Sequence, residues 1–137
     1  MANMIQTAQY FKVRIADTPG TLAHLLAPLH EAGVNLLAAH AFPRKRRTQV
    51  DVVPEDLTTF KNAVKPLKWK MKGPQTCFLV EGTDRPGALA DLTGQLSAAK
   101  INITAVTAKT AGPGRYGAIL WVKQRDVKKA AKVFGIT

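Results

Sequence analysis

The sequence has one cysteine in 137 residues, only nine acidic side chains and an aromatic content of 7%. Cys77 has no partner for an intrachain disulfide, and its neighbours Phe78, Leu79 and Val80 mark it for packing rather than redox chemistry or metal binding. No uninterrupted apolar run approaches the roughly 18 residues of a membrane span, and residues 1–10 carry neither the basic nor the apolar segment of a secretory leader. A soluble, cytoplasmic protein without a membrane partner is expected. Of the three histidines, His24 and His30 lie six apart in a helical stretch and off a common face, so no metal site and no cofactor are expected. No serine or cysteine stands in a motif that supplies it with a base, so no catalytic residues and no enzyme activity are expected. Positive charge, by contrast, is plentiful: 20 Lys and Arg give the chain a net charge of +11. An apolar fraction of 46% excludes a disordered chain and supports a core for one ordinary domain or two very small ones.

The sequence repeats itself. Asp17, Pro19, Gly20, Leu22 and Ala23 recur 67 positions on as Asp84, Pro86, Gly87, Leu89 and Ala90. The same spacing relates Phe11 to Phe78, Val13 to Val80, Leu25 to Leu92, Leu29 to Leu96, Val34 to Ile101, Asn35 to Asn102 and Ala38 to Ala105. Farther on, Leu57 matches Val127, so the second copy has gained three residues, which are placed in a turn around Ala111–Arg115. Two domains follow, 1–73 and 74–137.

Within the first copy Phe11, Val13 and Ile15 alternate with Lys12 and Arg14 as a half-buried strand does, and Leu22, Leu25, Leu26 and Leu29 recur at helical spacing up to Gly33. Two strands, 35–42 and 48–53, flank a cationic tip, Arg44, Lys45, Arg46 and Arg47. A second helix starts near Pro54, with Glu55 and Asp56 at its positive end, and 68–72 reads as an edge strand carrying Trp69 and Met71. The second copy repeats the order as strand 76–82, helix 86–99, strands 102–109 and 116–122, and helix 125–134. Counterparts of Trp69 and Met71 would fall beyond Thr137, so this copy lacks its last strand. The fold class is α+β, two tandem ferredoxin-like βαββαβ units.

A strand that enters a helix through D-x-P-G presets the backbone with proline, offers a carboxylate to nearby N–H groups, and through glycine leaves the helix N-terminus open to an anion. A single copy reads simply as a good turn; two copies, in register with Asn35 and Asn102, favour a site. The stretches D-T-P-G-T-L-A and D-R-P-G-A-L-A, with G-V-N-L and K-I-N-I, resemble the ACT domain, a ferredoxin-like module that binds amino acids and regulates metabolic enzymes. The resemblance covers nearly the whole chain and is stronger in the second copy. It implies a stand-alone regulator or sensor with an amino-acid ligand and a regulated enzyme as partner. It implies a ligand site at the strand-to-helix turns and the module interface, built from the first turn and the start of the second strand, usually of neighbouring modules: Asp84, Arg85, Pro86, Gly87, Ala88, Leu89 and Asn102, with Asp17, Thr18, Pro19, Gly20, Thr21 and Asn35 as the equivalent residues. A zwitterion suits this chemistry: its carboxylate meets helix N–H groups and the Asn amide, and its ammonium meets Asp or a strand carbonyl.

Other motifs carry less weight. Gly112, Gly114 and Gly117 spell G-x-G-x-x-G, yet a strand and not a helix follows, so they belong to a hairpin rather than a dinucleotide site. An RNA-recognition module shares the βαββαβ order, and Arg115, Tyr116, Gly117 and Ala118 echo its third-strand signature, but Ala118 stands where a base-stacking aromatic belongs. Nucleic acid therefore ranks below a small ligand, with a ligand-free protein interaction module between them. Finally, Cys77, Leu79, Ile119 and Trp121 point away from the helices, against Tyr10, Lys12, Gln49 and Asp51 in copy one. An apolar outer face and a missing edge strand predict a homodimer through the second copy.

Overall fold

The computed structural model describes residues 3–136. Its longest elements are two strands of 13 residues, β1 (Met4–Ala16) and β4 (Met71–Thr83). Both begin with methionine and stand one repeat apart in the sequence. β1 leads through the first D-x-P-G turn to α1 (Thr21–Glu31), β2 (Leu36–Arg44), β3 (Arg47–Pro54) and α2 (Leu57–Val64). β4 leads in the same way to α3 (Ala88–Ala98), β5 (Ile103–Thr110), β6 (Arg115–Val122) and α4 (Val127–Val133).

By packing, the chain forms two units: Gln9–Gln75, and the chain up to Ala8 together with the chain from Thr76 onward. In Gln9–Gln75 the antiparallel strands run β2-β3-β1, with Phe11 opposite Val52 and Val13 opposite Val50, and the first residues of β4 lie on the other edge of β1. Phe11, Val13, Leu25, Leu29, Val50, Val52, Phe60 and Val64 make its core, in which the Phe11 and Phe60 rings lie 4.8 Å apart. The residues with strand alternation and those with helical spacing thus meet on one face, as half-buried strands and an amphipathic helix must. Trp69 and Met71 pack on the same core. The expected edge strand at 68–72 instead begins at Met71, because Lys68 turns the chain in a left-handed conformation.

In the second unit β4 pairs with β6, Phe78 opposite Leu120, and β6 with β5, around a core of Phe78, Val80, Leu92, Leu96, Ile101, Leu120 and Val122. The free edge of β4 is taken by the first residues of β1, whose Ile5 packs on this core. The second copy thus has its fourth strand, supplied from the N-terminus, which the sequence reading left unassigned. Each unit has the α+β strand order of a ferredoxin-like fold, and residues 3–8 go with the second copy rather than with residues 9–73.

Three further expectations change. The three extra residues of the second copy are not all in the β5–β6 turn. There Ala111 bonds Arg115 across three residues where Arg44 pairs with Arg47 across two, so one insertion lies in that turn; the other two lie between Val122 and Val127, at the 3-10 turn Gln124–Asp126. Ile119 is therefore the counterpart of Asp51, and Trp121 of Val53. Second, the face away from the helices is largely shielded from water: Cys77 is fully buried, Trp121 is 4% exposed, and Tyr10, Gln49 and Asp51 are buried as well, while Lys12, Leu79 and Ile119 are half-buried. Third, the grounds for a homodimer change: the edge of β4 is paired within a single chain and Trp121 is shielded, which leaves Leu79 and Ile119 as the half-exposed apolar residues of that face. Among the described residues, no helix is long and apolar enough to cross a membrane.

The basic hairpin tip is a strained turn. Lys45 and Arg46 link β2 to β3 with φ +50° and +67°, the geometry of a two-residue turn that Asn-Gly fits best. The double substitution Lys45→Asn, Arg46→Gly is expected to stabilise the protein by about 1 kcal/mol, measured by urea unfolding.

Candidate functional site

Both D-x-P-G turns end in a left-handed glycine that caps a helix: Gly20 at φ +88° before α1 and Gly87 at φ +83° before α3. Glycine is required there by the backbone, since a side chain at Gly20 would meet nothing within 4 Å and one at Gly87 only the Arg85 guanidinium at 3.6 Å. Neither helix has a side-chain cap. Asp17 does not fold onto the turn as expected; its carboxylate accepts a hydrogen bond from the Thr48 hydroxyl at 3.1 Å. Thr21 ties the turn instead, its hydroxyl donating to the carbonyls of Ala16 at 2.6 Å and Thr18 at 2.8 Å. Thr18 and Pro19 are exposed beside it. In the second turn the Asp84 amide donates to the Gly114 carbonyl at 3.0 Å, and Arg85 forms an ion pair with Asp91 and donates to the Pro86 carbonyl at 3.1 Å.

The two asparagines do not join the turns within their own units. Each lies past the C-terminal end of an 11-residue helix, about 16 Å long, whose other end the turn opens. The Asn35 amide donates to the Glu55 carboxylate, and the Glu55 amide returns a bond to the Asn35 carbonyl at 2.9 Å. Asn102 lines a separate concavity with Thr93, Ser97 and Lys100. Within one unit the turn and the asparagine thus stand at opposite ends of the helix.

A pocket of about 380 Å³ opens at the start of α3. It is lined by Asp84, Arg85, Gly87, Ala88, Leu89 and Ala90, and also by Ala108, Lys109 and Thr110 at the end of β5 and by Tyr116 at the start of β6. These last four residues were missed as a group, because only tertiary contact brings the hairpin ends to the turn. Tyr116 is 5% exposed and belongs to the core, and burial raises its phenol above the usual value, with the charge of Arg85 acting against the rise. It faces the helices, so it presents no ring for a stacked base and the RNA-recognition reading loses its one aromatic. Gly112 and Gly114 lie in the β5–β6 turn with φ +89° and +70°.

No protein-family model matches the chain, and no curated protein matches it. Solved structures do share its fold. The protein BT0572 from Bacteroides thetaiotaomicron is 18% identical with a TM-score of 0.81, over 96% of this chain and 88% of that one. The regulatory subunit of aspartate kinase from Thermus thermophilus, in a ligand-free form, is 17% identical with a TM-score of 0.65, over 97% and 94%. An aspartate kinase from Clostridium acetobutylicum, described as an allosteric enzyme, is 19% identical with a TM-score of 0.56; 96% of this chain covers 33% of that one.

Proposed function

We propose that this chain, which has the ACT-domain fold, is a regulatory protein of two tandem modules that binds an amino acid at a strand-to-helix turn and passes the signal to an enzyme partner. The observation that carries the reading is the α3 pocket: an uncapped helix start behind a side-chain-free Gly87, with Asp84 on the same wall. Helix N–H groups and the helix dipole suit a carboxylate, and Asp84 suits the ammonium of the same molecule. The aspartate kinase regulatory subunit of the same fold supports a regulatory rather than a catalytic role. The first turn is the lesser site, since its aspartate is bonded to Thr48. In a thermal-shift series across the common L-amino acids at millimolar concentration, at least one is expected to raise the melting temperature; a flat series overturns the reading.

A further inference from the structure

The end of the β2–β3 hairpin gathers exposed positive charge: Arg14, Arg44, Lys45, Arg46 and Arg47, none of them in an ion pair among the described residues. Register puts three guanidiniums on one face. Arg47 lies between Ala16 and Arg44, and in the next row Gln49 lies between Arg14 and Phe42. Asp17 accepts from Thr48, which pairs with Ile15 and so belongs to the opposite face. Arg14 donates to the Arg44 carbonyl at 3.1 Å, Arg47 to the Arg14 carbonyl at 3.4 Å, and Arg44 to the Gln49 side-chain oxygen at 3.1 Å. These bonds place the guanidiniums and leave most of their N–H donors to offer. The turn itself is kept at a cost. Lys45 and Arg46 are both left-handed, whereas the second copy joins its hairpin through A-G-P-G, with glycines in the left-handed positions and no charge. The fold therefore does not require cations at the tip, and backbone strain that persists without a structural need gathers at functional sites.

From this we infer that the β2–β3 hairpin end binds the phosphate backbone of single-stranded nucleic acid, a role separate from the amino-acid reading above. Four of the five cations are arginines, whose planar fork meets phosphate oxygens two at a time. Phe42, half-buried in the adjoining row with its ring 5.0 Å from His40, sets an aromatic group beside them, the combination that holds unstacked bases. A duplex groove does not suit the shape: β1 runs beside β3 as far as Ala16 opposite Arg47, so only Lys45 and Arg46 stand clear of the sheet. A lipid surface would find nothing to bury, since no exposed large apolar side chain lies within residues 42–49.

Fluorescence anisotropy of a labelled oligouridine titrated with the full chain tests this. Binding is expected at about 50 mM salt and, with about four phosphates neutralised, should weaken about 50-fold by about 200 mM. The double substitution Lys45→Asn, Arg46→Gly is expected to weaken binding at least tenfold at the lower salt while the protein resists urea better than before, so the loss cannot be a loss of fold. Lys128→Gln with Lys129→Gln removes the same charge from exposed positions of α4 and is expected to change affinity less than about threefold. No binding at the lower salt, full affinity in the tip variant, or equal losses in the two variants overturns the inference, the last by assigning the affinity to net charge. Tighter, tip-dependent binding to a duplex of the same length, to phosphatidylserine vesicles or to polyglutamate would also overturn it, and would assign the tip to a groove, a membrane or an acidic protein.

Discussion

Deletion of the first eight residues is expected to destabilise the half of the chain from Thr76 onward, a region that those residues never touch in sequence. Met4–Ala8 occupies the free edge of β4 and packs Ile5 on the core of Phe78, Val80 and Leu120. Their removal forfeits a run of ladder hydrogen bonds at about 1 kcal/mol each and the burial of one isoleucine at about 2 kcal/mol, and returns the entropy of ordering about five residues, for a net loss of about 2 kcal/mol or more. Two measurements check it. Hydrogen exchange should show lost protection at the amides of 76–83 that face the vacated edge, with the amides of β3 unaffected. Sedimentation should show concentration-dependent association, because an unpaired strand edge recruits another. Unchanged exchange in β4 would mean that its edge is satisfied some other way. Cutting the chain at 73/74, where the repeat by itself divides it, should give a second half with the same open edge.

Gly87 carries the other large effect, in two parts that different substitutions separate. With φ at +83°, valine at this position pays for a left-handed backbone that a β-branched residue hardly adopts, and Gly87→Val is expected to cost about 2 kcal/mol of stability. No clash contributes, since the nearest atom to a Cβ is Arg85 Nη1 at 3.6 Å. Asparagine tolerates the left-handed region, so Gly87→Asn should fold at a cost below about 1 kcal/mol. Its side chain would then stand at the uncapped start of α3, in a position to accept from the same N–H groups as a ligand carboxylate. Loss of at least tenfold in amino-acid affinity with near-normal urea unfolding in Gly87→Asn identifies the open helix start as the binding element. Normal affinity in that variant would reduce the glycine to its backbone role. The same change at Gly20 should leave affinity unaltered if the α3 pocket is the principal site.

Much of this architecture was legible in the sequence because local periodicity and repetition are properties of single elements. The alternation at Phe11, Val13 and Ile15, the helical spacing of Leu25 and Leu29, and their copies at Phe78, Val80, Leu92 and Leu96 name strands, helices and the faces they bury, and these residues are the two cores. Even the exchanged strand left a trace: Met4 lies one repeat before Met71, and both strands have 13 residues. The position of the insertions was not legible, because a spacing measured between Leu57 and Val127 cannot say where within the interval the extra residues fall. Register across β6 decides it, and with it which residue stands opposite which.

The candidate site divides in the same way. The sequence by itself determined the two D-x-P-G turns and the helices that begin behind them, since these depend on steric preferences of neighbours along the chain. It determined, too, that Asn35 and Asn102 open the second strand of each copy. Only the tertiary structure decided that those asparagines lie a helix length away from the turns, that Asp17 bonds Thr48, and that Lys109 and Tyr116 close the α3 pocket. Which strand completes which sheet was also a tertiary decision. An edge strand is recognised by the backbone groups it satisfies, and every residue except proline carries the same donor and acceptor, so nothing in the side chains of residues 4–8 names the partner they pair with.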